Sequence, residues 1–166
     1  MEENSREKFI IDTSALISLE SIKLLDRVIE HFDLITTASV IRELNDFAKH
    51  GDEKGEFAKS ILKKNLISKK AYLKENVDFI EQTDTELYNL AKQENLPLIT
   101  DDHRFVHHTR RRIQVYFSTF FLSVFVSAEL IKKEEALMLL EKMRNIRNWK
   151  DNIIYLVSKK ELEDHP

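Results

Sequence analysis

Carboxylates recur at spacings that put them just past successive short apolar runs. Asp12 follows the run 9–11, Glu43 lies one turn into a helical pattern starting near Val40, Asp84 heads another such pattern, and Asp101 and Asp102 close the run 98–100. One acid at a helix start is ordinary, because negative charge suits the positive end of the helix dipole. Four successive junctions mean more if the runs are parallel strands. Residues past parallel strand ends gather along one sheet edge, where open α/β folds bind ligands. Two carboxylates about 4 Å apart repel by roughly 4 kcal/mol at an effective dielectric near 20, a sizeable part of a domain's stability. A shared proton would relieve one pair, as in aspartic protease dyads. A larger cluster is more naturally offset by a divalent cation, and oxygen-only ligands select magnesium or manganese over zinc or copper.

Composition closes other chemical routes. The 166 residues contain no cysteine, which excludes thiolate catalysis, disulfides and cysteine-bound zinc, and only two glycines, which leaves no phosphate-cradling loop. With no cysteine and no leader sequence read, the chain is expected in a reducing cytoplasm. The net charge of −3 requires nucleic-acid binding to use a local basic patch. His103 and His107, four apart, share a helix face beside Asp102, a spacing compatible with a zinc site or a proton carrier, and read first as a solvated surface.

The elements that would position the acids alternate. The run 9–11 reads as a buried strand, Leu24, Leu25, Val28 and Ile29 as a helix, and 34–37 as a strand. A helix from about Val40 carries Ile41, Leu44 and Phe47 on one side. The charged stretch 49–56, holding both glycines, is the loosest loop, and a helix with Phe57, Ile61 and Leu62 follows. A strand is expected over 77–80. Thr83 and Glu86 then form a capping box that starts a helix at Asp84. Strands over 98–100 and 113–117 enclose an Arg- and His-rich helix, and helices over 120–130 and through Ala136, Leu139, Leu140 and Met143 come next. Residues 153–157 close the chain as a short edge strand. From Ile113 to Ala128 no residue is charged, but the stretch is shorter than the roughly 20 residues a membrane span needs. The rhythm predicts one α/β domain over 1–166: a three-layer sandwich with a mainly parallel central sheet flanked by helices.

Phe9-Ile10-Ile11-Asp12-Thr13-Ser14-Ala15-Leu16, Val40-Ile41-Arg42-Glu43-Leu44, Thr83-Asp84-Thr85-Glu86-Leu87 and Leu98-Ile99-Thr100-Asp101-Asp102 resemble, in order and in strand context, the acidic motifs of the PIN-domain nucleases. The resemblance covers about residues 8–117; the helices and short strand of 118–166 are compatible with it. It implies a Mg2+- or Mn2+-dependent endoribonuclease, often a homodimer, of the kind found as toxins paired with antitoxins or as RNA-processing enzymes. Asp12, Glu43, Asp84 and Asp102 would be the catalytic, metal-binding acids. Asp101 shares that role as second candidate, because the family's fourth acid usually lies two places after a strand-ending hydroxyl residue, here Thr100. Thr13 matches the hydroxyl residue after the first acid. The reaction implied is hydrolysis of an RNA phosphodiester by water that the cation activates. Arg104, Arg110, Arg111 and Arg112 are candidate phosphate contacts, as are Lys63, Lys64, Lys69 and Lys70. A haloacid-dehalogenase reading fails, because the second aspartate it needs falls on Ser14. The remaining alternative is a catalytically inactive PIN-like module that binds RNA or protein.

Overall fold

The structure is a computed structural model and describes residues 6–71, 75–76, 78 and 81–166. In β1 (Lys8–Ile11), Phe9, Ile10 and Ile11 are all buried, as suits the middle of a parallel sheet covered on both faces. Asp12 ends the strand and caps α1 (Thr13–Ser21), its side chain accepting the Ala15 N–H. After α2 (Leu25–His31), β2 (Asp33–Thr36) sets Leu34 beside Phe9 and Ile35 beside Ile10. Thr37 caps α3 (Ala38–Ala48), and Asp52 caps α4 (Glu53–Leu62). The two-residue β3 (Ile67–Ser68) pairs with β2. α5 (Gln82–Glu94) ends at Asn95, whose left-handed φ of 52° turns the chain toward β4 (Leu98–Ile99); asparagine tolerates that conformation better than most residues. Asp102 caps α6 (His103–Thr109), β5 (Val115–Tyr116) follows, and then α7 (Phe120–Ser127), α8 (Lys133–Arg147) and α9 (Ile153–Asp164).

The five strands are parallel, in the order β3-β2-β1-β4-β5, and helices flank them. The chain moves from β1 to one side through β2 and β3, then crosses to the other side for β4. The C-terminal ends of β1 and β4 therefore flank the point where strand order reverses, which is where such sheets bind ligands. Beneath this edge Phe9 lies 5.4 Å from both Phe32 and Phe121, and Phe32 stacks on Phe125 at 6.3 Å. Burying each such ring stabilises the fold by about 1.5–3 kcal/mol. The phenylalanine-rich run thus supplies core through Phe121 and Phe125. Among the described residues, no helix is long and apolar enough to cross a membrane.

Several expected elements differ. Residues 153–157 open α9 and are not a strand: Asn152 caps the helix by accepting the Ile154 N–H, and Ile154, Tyr155, Ser158 and Leu162 are buried along one helical face. The helix carrying Asp84 begins at Gln82, with Glu81 at its N-cap. The Thr83–Glu86 capping box does not form, because Thr83 already lies inside the first turn of α5, and Glu86 accepts the Ser39 hydroxyl. The charged stretch 49–56 is helical from Glu53 onward. Gly55 lies inside α4, where a Cβ would stand 2.1 Å from the His50 carbonyl oxygen and 2.8 Å from that of Phe47. Of the strand expected over 77–80, residues 77, 79 and 80 lie outside the described residues, and Asp78 is in a turn. The sheet's third strand is β3, too short to show a pattern in the sequence.

Candidate functional site

Asp12 sits where β1 meets β4, 5% exposed. The Ala15 N–H donates to its Oδ1 at 2.8 Å, the Ser14 hydroxyl approaches both oxygens at 2.8 Å, and the Thr100 hydroxyl donates to Oδ2. Both hydroxyls are held from behind: Thr100 Oγ1 accepts the Asp102 N–H at 3.0 Å, and Ser14 Oγ accepts the Asp101 N–H at 2.9 Å. The carboxylate is thereby fixed to the ends of two adjacent strands. Thr13 donates to Glu43 Oε2 at 2.6 Å, tying the head of α1 to α3. Asp102 Oδ1 caps α6 by accepting the N–H groups of Arg104 and Phe105 at 2.8 and 3.1 Å. Asp84, three residues after the N-cap Glu81, has the Glu81 N–H as its hydrogen-bonding neighbour.

These groups line one cleft of about 490 Å³, which brings together Asp12, Thr13, Ser14, Glu43, Glu81, Asp84, Asp102 and Arg104 over the buried side chains of Leu87 and Phe105. Five of its lining residues are acidic and one is basic. Burial pushes Asp12 up to about 7 against the pull of its hydrogen bonds, with Asp101 adding a smaller push. Asp84 also rises to about 7, first through burial and then through the charges of Asp102, Glu81 and Glu43.

Four of the expected acids, Asp12, Glu43, Asp84 and Asp102, face this cleft, together with Thr13 and Arg104; Thr100 supports Asp12 from the strand end. Asp101 turns the other way. Its oxygens accept the Ser118 N–H at 2.8 Å and the Ser118 hydroxyl at 2.7 Å, joining the end of β4 to the segment after β5, and burial raises its carboxyl. Arg110, Arg111 and Arg112 line a separate groove with Asn95, Leu96 and Gln114, at the opposite edge of the sheet where β4 and β5 begin. Ser14 and Glu81 were missed in the sequence. Ser14 is two places after Asp12, a spacing with meaning only once the capping turn is seen. Glu81 carries no signal in a pattern that places the helix start at Asp84; with the N-cap at 81, it and Asp84 share a face.

The donor set suits a hard divalent cation: every acidic donor is a carboxylate oxygen, and burial, followed by the charges of neighbouring acids, raises two of them. Among the described residues, no three His, Asp or Glu side chains form a finished cation cage, so holding an ion requires the carboxylates to draw inward.

A parallel sheet, a switch-point cleft and acids from four βα junctions define a class of protein that comparison with known sequences identifies. The family model described as DUF3368, PIN domain, matches residues 8–163, and the chain belongs to the PIN-domain family. PIN domains are generally nucleases and typically use divalent metals. No curated protein matches the chain. Among solved structures, it is similar to a domain of a functionally unknown protein from Methanocaldococcus jannaschii DSM 2661. The two share 23% identity at a TM-score of 0.48, over 67% of this chain and 90% of that one.

Proposed function

We propose that the protein is a Mg2+- or Mn2+-dependent endoribonuclease that hydrolyses RNA phosphodiester bonds in the acidic cleft. The observation supporting this most is the convergence of Asp12, Glu43, Asp84 and Asp102, from four separate βα junctions, on one cleft at the sheet's switch point. These four would hold the cation, which when bound activates water and offsets the phosphate's negative charge. Thr100, Ser14 and the Ala15 N–H orient Asp12, and Thr13 holds Glu43 toward the opening. Arg104 supplies positive charge to a phosphate entering beside Asp102. Ser14 is not poised as a nucleophile: its hydroxyl already donates to Asp12 and accepts from the Asp101 N–H.

A second reading, an RNA- or protein-binding module without catalysis, is favoured by the capping bonds of Asp12 and Asp102 and by the lack of a finished cation cage among the described residues. Incubating the purified protein with labelled total RNA, with and without manganese, separates the two. The nuclease reading expects manganese-dependent cleavage that Asp12→Asn abolishes while circular dichroism is unchanged. Retention of RNA without cleavage under any metal condition would establish the binding module instead.

A further inference from the structure

The cleft's acidity poses a problem for any RNA that enters it, because the polyanion meets five acidic residues and one arginine. Two further cations, Lys54 and Arg147, act on Glu43 in the cleft and on Asp101 behind it. α4 packs along α1, and the Ser60 hydroxyl donates to Glu20 Oε1 at 2.7 Å. α4 also packs on α3, whose Glu43 reaches the head of α1 through Thr13. Lys54 lies in the first turn of α4, six residues before Ser60. Its charge and that of Glu43 act on each other. The Lys54 ammonium rests 3.5 Å from the centre of the Phe47 ring, a placement fixed by the close approach of Gly55 to Phe47 and His50.

Arg147 reaches the same flank from α8. One turn earlier, Met143 lies 3.8 Å from the Ser118 hydroxyl that holds Asp101, at the C-terminal edge of the sheet. Residues four apart share a helix face, and the Arg147 charge is felt by both Asp101 and Lys54. Its guanidinium stands 6.0 Å from the Trp149 ring, and its Nε is buried with no hydrogen-bond partner among the described residues. Among those residues neither Lys54 nor Arg147 forms an ion pair or a side-chain hydrogen bond.

We propose that Lys54 and Arg147 together seat a backbone phosphate of the RNA neighbouring the one being cut, on the α4 and α8 flank of the acidic cleft. The proposal rests on the nuclease reading. An anion between the two cations relieves their mutual repulsion, the guanidinium fork matches phosphate oxygens in pairs, and the Phe47 ring leaves the lysine's donors available.

The test is fluorescence anisotropy with a labelled single-stranded RNA of mixed sequence, in chelator, across a salt series. Lys54→Gln and Arg147→Gln should each reduce the slope of log affinity against log salt by about 0.7. With manganese present, each should raise KM several-fold at little cost to kcat. Lys132→Gln, at the other end of α8, should change neither. Lys54 is exposed, so its variant carries the test even if Arg147→Gln folds poorly. Native slopes and KM values in a well-folded Lys54→Gln protein would overturn the proposal and show that the cations only balance Glu43 and Asp101, leaving the nuclease reading standing. A native protein that neither binds nor cuts RNA would overturn both.

Discussion

Asp84 tests most directly whether these acids are functional or structural, because the charges of Asp102, Glu81 and Glu43 all push its carboxyl up against the pull of the Glu81 N–H. Its carboxyl and that of Asp12 sit near 7 rather than 3.8. Between those values the folded protein keeps protons that the unfolded chain has released. For these groups, metal-free stability is therefore full in acid and declines as pH rises from about 4 to about 7. Asp84→Asn should flatten that decline and, at pH 8, raise metal-free stability by on the order of 1 kcal/mol after allowance for partial exposure. Thermal melts across the pH series check this. A loss of about 0.5–2 kcal/mol at every pH is the opposite result, and it would make Asp84 a helix-stabilising acid like any other. The four facing acids were legible in the sequence because each lies at the junction between an apolar run and the helical pattern that follows it. Which of Asp101 and Asp102 faces the cleft was not, since adjacent residues leave a strand in opposite directions and the choice depends on where β4 stops.

At the level of elements, burial pattern decided more than local propensity. Residues 153–157 are apolar and partly β-branched, so as a short run they read equally well as strand or helix. The capping bond of Asn152 and the buried face continuing to Leu162 resolve them as helix. β3 escaped notice because two residues show no periodicity, and its identity comes from pairing with β2. The charged stretch before α4 looked loose because glycine commonly marks turns, whereas Gly55 is there to let α4 approach the end of α3. Gly55→Ala should therefore destabilise the protein by about 1–3 kcal/mol, near the upper end because the obstructing atoms are backbone. Urea unfolding measures it. A stabilised variant, as expected for glycine replaced in an unobstructed helix, would mean that the two helices can separate.

Over the whole molecule, charge is divided by position: the acids crowd the C-terminal edge of the sheet, and Arg110, Arg111 and Arg112 lie at its other edge. From Leu96 to Asp102 is six residues, about 20 Å at 3.3 Å each, so one RNA reaches both regions only if it is several nucleotides long. Replacing the three arginines with glutamine should weaken binding of long RNA and leave a tetranucleotide unaffected; equal loss for both would place the arginines at the cleft itself. The broadest test needs no RNA. A cation that binds only the folded state stabilises it by RT ln(1 + [L]/Kd), about 2.7 kcal/mol at a hundred times Kd, and for a chain of this size that raises Tm by roughly 5–10 °C. Because protons compete with the cation for Asp12 and Asp84, the rise in millimolar manganese should be small at pH 5 and large at pH 8. Asp84→Asn should shrink the rise at pH 8 while leaving the metal-free protein no less stable. Ordinary helix caps cannot produce that combination, since neutralising them costs stability and leaves no metal response to lose. A Tm indifferent to manganese and magnesium at both pH values would mean that the carboxylates serve only the fold, and the nuclease reading would go with it.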